Sequence, residues 1–132
     1  MSLRSPLGKV LGLGASNEGV GHWWVQRVGS VAVAVLSAWF LVALLMLGSL
    51  DYDSVRAWVA APWNTVLLVL LVLSVMQHSQ LGIQVVVEDY VSSKGTKILT
   101  MLIVNALHIL LAAAGVVAIL RISFGTAAGV TP

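Results

Sequence analysis

Three stretches of this chain, Val28–Leu50, Ala57–Val87 and Ile98–Leu120, contain no Asp, Glu, Lys or Arg, and no other feature limits the fold as tightly. The first and third run 23 residues each, about 35 Å as α-helix, against a bilayer hydrocarbon core about 30 Å thick. The middle run has 31 residues, with Pro62 near its beginning. Proline is favoured at the first helical position, so the working span there is Trp63–Val87. None of the three shows the alternation and turn spacing of a lipid-facing barrel. The expected fold class is an all-α integral membrane protein with three transmembrane helices, near residues 28–50, 63–90 and 97–121.

Composition agrees. Of 132 residues, 59% are hydrophobic and 9% charged, whereas soluble domains carry about 25% charged residues. A soluble fold of this size would expose apolar patches large enough to aggregate, so lipid must be the main solvent. A net charge of +2 is too small for a nucleic-acid footprint. Without cysteine the chain cannot form disulfides, use a thiolate in catalysis or ligate an iron–sulfur cluster.

The segments between the spans carry turn and cap signals. Asp51-Tyr52-Asp53-Ser54 ends the first helix, and Asp53 or Ser54 is expected to cap a short amphipathic segment running to Ala60. Ser92-Ser93-Lys94-Gly95-Thr96 reads as a turn before the third helix. Trp23 and Trp24 mark one interface and Trp58 and Trp63 the other, while Trp39 is expected to pack. Arg4, Lys9, Arg27, Lys94 and Lys97 fall on one side and only Arg56 and Arg121 on the other. The positive-inside rule then places the N-terminus in the cytoplasm and the C-terminus in the periplasm. Residues 1–27 would form a cytoplasmic segment and residues 28–132 the three-helix membrane domain. The opening segment matches neither a signal peptide nor an Arg/Ser-rich transit peptide.

Polar side chains at membrane depth are the functional candidates. His78 lies twelve positions before Tyr90, about 18 Å from that end of the helix, and His108 lies at similar depth on the third. Ser74, His78, Gly82, Val85 and Asp89 share one helical face. Gly82, one turn from His78, leaves a notch that would admit a flat macrocycle bound to the imidazole. The same small-residue pattern also serves close helix packing, and spacing leaves both readings open. Asp89 and Tyr90 at the end of this helix suit either hydrogen bonding to a quinone carbonyl or interfacial anchoring. Arg27 either snorkels to headgroups or pairs with a buried anion such as a heme propionate. His22 lies near the water boundary, and His108 and Asn105 are expected to bond across the bundle.

Two motifs in order, His22-Trp23-x-x-Gln26-Arg27-Val28 and His78-x3-Gly82-x6-Asp89-Tyr90-Val91, resemble the cytochrome b-type hydrophobic membrane anchors (D subunits) of succinate dehydrogenase, respiratory complex II. The resemblance covers roughly Gly21 to Leu120. It implies that His78 is one axial ligand of a b heme whose other ligand comes from a companion anchor subunit. It further implies that Arg27, with His22, approaches a heme propionate, and that Tyr90 and Asp89 form part of a ubiquinone site. The implied partners are a second membrane anchor, an iron–sulfur subunit and a flavoprotein subunit in a bacterial inner membrane, with further oligomerisation of the whole complex possible. Two positions depart from the family pattern: Glu88 stands where Thr is usual, and a glutamine is displaced by one position to Gln84. The alternatives are a self-contained cytochrome in which His78 and His108 clamp a heme, and a non-redox membrane scaffold.

Overall fold

The computed structural model describes residues 17–125, apart from the side chains of Asn17, Glu18 and His22. The apolar runs form helix α1 over Asn17–Leu45, α3 over Pro62–Tyr90 and α4 over Lys94–Gly125, with a short α2 over Tyr52–Ala60. α1, α3 and α4 are each long and apolar enough to cross a membrane. Arg4 and Lys9, which enter the charge asymmetry, lie outside the described residues.

α1 begins at Asn17 rather than near Val28, and α4 runs to Gly125 rather than ending near Arg121; three further differences have local reasons. α1 stops at Leu45 rather than near Leu50. Its last backbone bonds are Met46 N–H to Val42 O and Leu47 N–H to Leu44 O, after which Gly48 and Ser49 favour a bend over further helix. α2 is capped by Asp51, not by Asp53 or Ser54. Asp51 has extended backbone (φ −68°, ψ 162°), and its carboxylate accepts from Ser54 N at 2.8 Å and Ser54 Oγ at 2.9 Å. Hydrogen bonding with the Ser49 side chain, then with Ser54, lowers the Asp51 pKa from 3.8 to about 2, so the cap is ionised at neutral pH. α4 begins at Lys94, leaving only Val91, Ser92 and Ser93 as the connection; Lys97 N–H bonds back to Ser93 O at 2.9 Å.

The corner between α2 and α3 is tied by side chains. Pro62 opens α3 without a side-chain cap, and the preceding Ala61 is extended, as the residue before proline prefers. The terminal carbonyls of α2 are taken up by the first turn of α3: Asn64 Nδ2 donates to Trp58 O at 2.8 Å and Thr65 Oγ1 to Val59 O at 2.7 Å. The same Thr65 hydroxyl lies 3.1 Å from Ser123 Oγ, which joins α4 to the corner. Trp58 of α2 stacks on Trp39 of α1 with ring centroids 5.9 Å apart, and Phe40 lies beside it. Trp39 is thus a packing residue, as its sequence position suggested.

The three long helices form a single layer. α3 packs against both α1 and α4, and among the described residues the Cα traces of α1 and α4 do not come within 8 Å of each other. The α3–α4 seam is close where Gly115 faces Val72, for a Cβ on Gly115 would lie 3.1 Å from Val72 Cγ1. Polar pairs continue the seam: Gln80 Nε2 donates to Asn105 Oδ1 at 2.9 Å, and Lys97 Nζ donates to Glu88 O at 2.8 Å. Among the described residues only Val59, Thr65, Leu68 and Val87 are buried, while Val28, Val35, Leu70, Leu102 and Leu110 are exposed. Exposed apolar surface on this scale is stable only against lipid or other apolar helices.

Candidate functional site

Because α3 is the middle helix, its polar positions face two different seams. His78 turns toward α1: its Nδ1 lies 3.9 Å from where a Cβ on Gly29 would stand. The imidazole is half-buried, and Nδ1 is buried with no hydrogen-bond partner. A buried, unpaired ring nitrogen is costly, so this histidine does not serve as an internal strut. One turn further on, a Cβ added at Gly82 would meet nothing within 4 Å. The glycine is not needed for packing within this chain, and the notch beside His78 is open. An unpaired imidazole beside an open glycine fits a planar heme group bound through the histidine.

The second histidine behaves differently. His108 Nδ1 lies 2.8 Å from Val104 O, one turn back on its own helix, and Nε2 lies 3.2 Å from Ser79 Oγ on α3. A carbonyl can only accept, so Nδ1 carries the proton and Nε2 accepts from the Ser79 hydroxyl. Both ring nitrogens are occupied, Nδ1 within α4 and Nε2 across the α3–α4 seam, while His78 faces the α1–α3 seam. The structure does not bring the two histidines onto one face, which leaves the self-contained bis-histidine alternative without geometric support. The expected cross-bundle roles of His108 and Asn105 are what the hydrogen bonds describe.

Two clefts of about 360 Å³ flank α3. One, between α1 and α3, is lined by Trp24, Val28, Gly29, Ala32, Ser74 and Gln77. The other, between α3 and α4, is lined by Leu73, Met76, Gln80, Asn105, His108 and Ile109. The first adjoins the side of α3 that carries His78 and is walled by small or apolar residues of α1. Ser74, one of the residues placed on the His78 face by spacing, lines it.

The ends of α1 and α3 hold the remaining candidates. Arg27 is exposed, and its guanidinium carbon lies 5.3 Å from the centroid of the Trp23 ring, a cation–π contact that holds the charge near the first turns of the apolar span. Trp23 itself packs edge-on against Trp24 at 5.2 Å. The His22 side chain lies outside the described residues. Asp89 and Tyr90 end α3 with their side chains exposed, Tyr90 by 83%. The two departures in the motif prove to be one feature: Gln84 Nε2 donates to Glu88 Oε1 at 2.7 Å along the helix. This pairing occupies the Glu88 carboxylate, immediately before Asp89 and Tyr90.

Two residues of α1 were not singled out by sequence reasoning. Gly29 sits inside an apolar run with nothing to mark it, and only its position opposite His78 gives it meaning. Gln26 was part of the first motif but had no role; its Oε1 is buried and unpaired.

Comparison with known proteins bears on these features. Residues 1–119 match the family model described as the succinate dehydrogenase/fumarate reductase transmembrane subunit. The succinate dehydrogenase hydrophobic membrane anchor subunit of Rickettsia felis is 35% identical over 104 residues, covering 79% of this chain and 87% of that protein. The corresponding subunit of Rickettsia conorii is 32% identical over 107 residues, 80% of this chain and 85% of its own length. That of Paracoccus denitrificans is 29% identical over 79 residues, 60% and 61%. The chain belongs to this family, the transmembrane anchor subunits of succinate dehydrogenase and fumarate reductase.

Proposed function

We propose that this chain anchors a succinate:quinone oxidoreductase in the bacterial inner membrane, supplies one axial ligand to a b heme and forms part of the ubiquinone site. The observation that carries the reading is His78: a half-buried imidazole with an unpaired buried nitrogen, one turn from a glycine whose Cβ would meet nothing. Heme iron supplies reversible one-electron chemistry when bound. His78 would present a ring nitrogen to that iron from the α1–α3 side of the layer, and Gly82 would leave room for the edge of the macrocycle. His78 would be this chain's one ligand to the iron, and a companion anchor subunit packed on the exposed apolar surface would supply the other. Arg27, held near the start of the apolar span by Trp23, would pair with a heme propionate, with His22 beside it.

The Tyr90 end of α3 would lie at the cytoplasmic boundary, the side given by five Lys/Arg against two. The Tyr90 phenol would donate a hydrogen bond to a quinone carbonyl. Asp89 beside it would pass protons from water, since reducing a quinone to a quinol consumes two electrons and two protons. The exposure of both side chains leaves them free to meet the iron–sulfur and flavoprotein subunits that oxidise succinate. The twelve positions from His78 to Tyr90 would separate heme and quinone levels by about 18 Å.

Purification through this chain in mild detergent tests the assembly: a flavoprotein and an iron–sulfur protein are expected to copurify. In that complex Tyr90→Phe is expected to lower succinate–quinone turnover at least tenfold, the loss of one hydrogen bond at a reacting carbonyl, with the heme spectrum intact. Unchanged turnover in Tyr90→Phe would remove Tyr90 from the quinone site.

A further inference from the structure

Among the described residues, two buried side-chain atoms lack any hydrogen-bond partner, His78 Nδ1 and Gln26 Oε1. They belong to facing helices. Gln26 lies three residues, or about one turn, before Gly29 on α1, and Gly29 is the position against which His78 Nδ1 rests. Both therefore border the same α1–α3 seam. Each is costly alone, and they are complementary: one is a carbonyl-type acceptor and the other a ring nitrogen that can carry a proton.

His108 supplies the internal contrast. It satisfies its own Nδ1 with the carbonyl one turn back, Val104 O at 2.8 Å. His78 has the equivalent Ser74 carbonyl on its own helix and does not bond to it. The imidazole is turned out of its helix toward α1, where the unpaired acceptor lies.

We propose that Gln26 is the positioning residue for the heme ligand: its Oε1 accepts a hydrogen bond from His78 Nδ1–H while Nε2 binds the iron. The inference rests on the reading of His78 as a heme ligand. A neutral imidazole that gives Nε2 to a metal must carry its proton on Nδ1, and that N–H requires an acceptor that fixes the ring plane and raises the basicity of Nε2. Greater basicity stabilises ferric over ferrous iron and lowers the midpoint potential. Rearrangement of the glutamine side chain within the seam would close the pair, and one bond would then satisfy both orphaned atoms.

The test is a redox titration of the b-type spectrum in the assembled complex carrying Gln26→Leu or Gln26→Glu, with His78→Ala as a third variant. Gln26→Leu removes the acceptor and is expected to raise the midpoint potential. Gln26→Glu supplies a stronger acceptor at unchanged size and is expected to lower it. Shifts up to about 59 mV are expected in each direction, a tenfold change in the ferric-to-ferrous balance of a one-electron couple. Shifts of the same sign in both variants, or no shift in either, overturn the role of Gln26 if His78→Ala has lost the native heme. A native heme spectrum in His78→Ala overturns the ligand assignment itself. Should Gln26→Leu fail to assemble, the isosteric Gln26→Glu carries the test alone.

Discussion

Gly82 offers a substitution whose effect on the chain and effect on its cofactor are predicted to have opposite signs. A Cβ there meets nothing within 4 Å, so the side chain of Gly82→Leu starts in open space. Replacing a mid-helix glycine by a good helix former contributes about 1 kcal/mol in a soluble helix, and the variant is expected to fold and insert as well as the native chain. The heme edge, by contrast, would occupy the space that the leucine fills. Overpacking at a filled site costs about 1–3 kcal/mol, which corresponds to roughly 5- to 150-fold weaker retention at 1.4 kcal/mol per tenfold. The assay is heme per complex, from the pyridine hemochrome of material purified through this chain, beside helix content by circular dichroism. Gly115→Leu is the contrasting variant. Its Cβ would stand 3.1 Å from Val72 Cγ1, so it should disturb the α3–α4 seam first and lose helix packing with or without heme. Full heme occupancy with an unshifted spectrum in Gly82→Leu would refute the idea that the open glycine is a cofactor notch.

His108→Ala is expected to retain heme and to weaken the α3–α4 seam by about 0.6–2 kcal/mol, the worth of an interhelical hydrogen bond in a membrane, read as easier unfolding in denaturing detergent. Loss of the b-type spectrum in that variant would instead favour His108 as a ligand. The cap of α2 predicts a pH dependence with a definite sign. The Asp51 pKa falls from 3.8 to about 2 on folding, so its stabilisation is complete above about pH 4 and disappears as pH falls through 2. Protease cleavage between α1 and α3 should rise over that acid window, and Asp51→Asn should flatten the response; a transition centred near neutral pH would contradict this account.

The helices were legible because membrane insertion requires long uncharged runs, and length against bilayer thickness fixes their number. Their ends were less legible. α1 extends back to Asn17, beyond the apolar run, across Gly19 and Gly21, whose low helix propensity gave no sign of it. Asp51 displaced Asp53 as the cap because extended backbone at Asp51 aims its carboxylate at Ser54 N–H, a choice of one φ/ψ pair that composition does not encode. At the candidate site, the period of Ser74, His78 and Gly82 marked out one face of α3, from which His78 approaches Gly29 and Ser74 lines the α1–α3 cleft. What lay across from that face depended on which helix packs where: His78 meets Gly29 because α3 is the middle of the layer. The separation of His78 from His108 has the same origin, since similar depth on two helices does not specify that one ring faces α1 and the other bonds back to Ser79.

The central claim is that His78 binds heme iron on behalf of the membrane anchor. The most direct measurement is the dithionite-reduced minus oxidised absorption spectrum of the purified complex, native beside His78→Ala, at matched content of this chain. The account predicts b-type bands in the native complex that are lost or clearly shifted in His78→Ala, with helix content unchanged. Bands of the same position and intensity in both would contradict it.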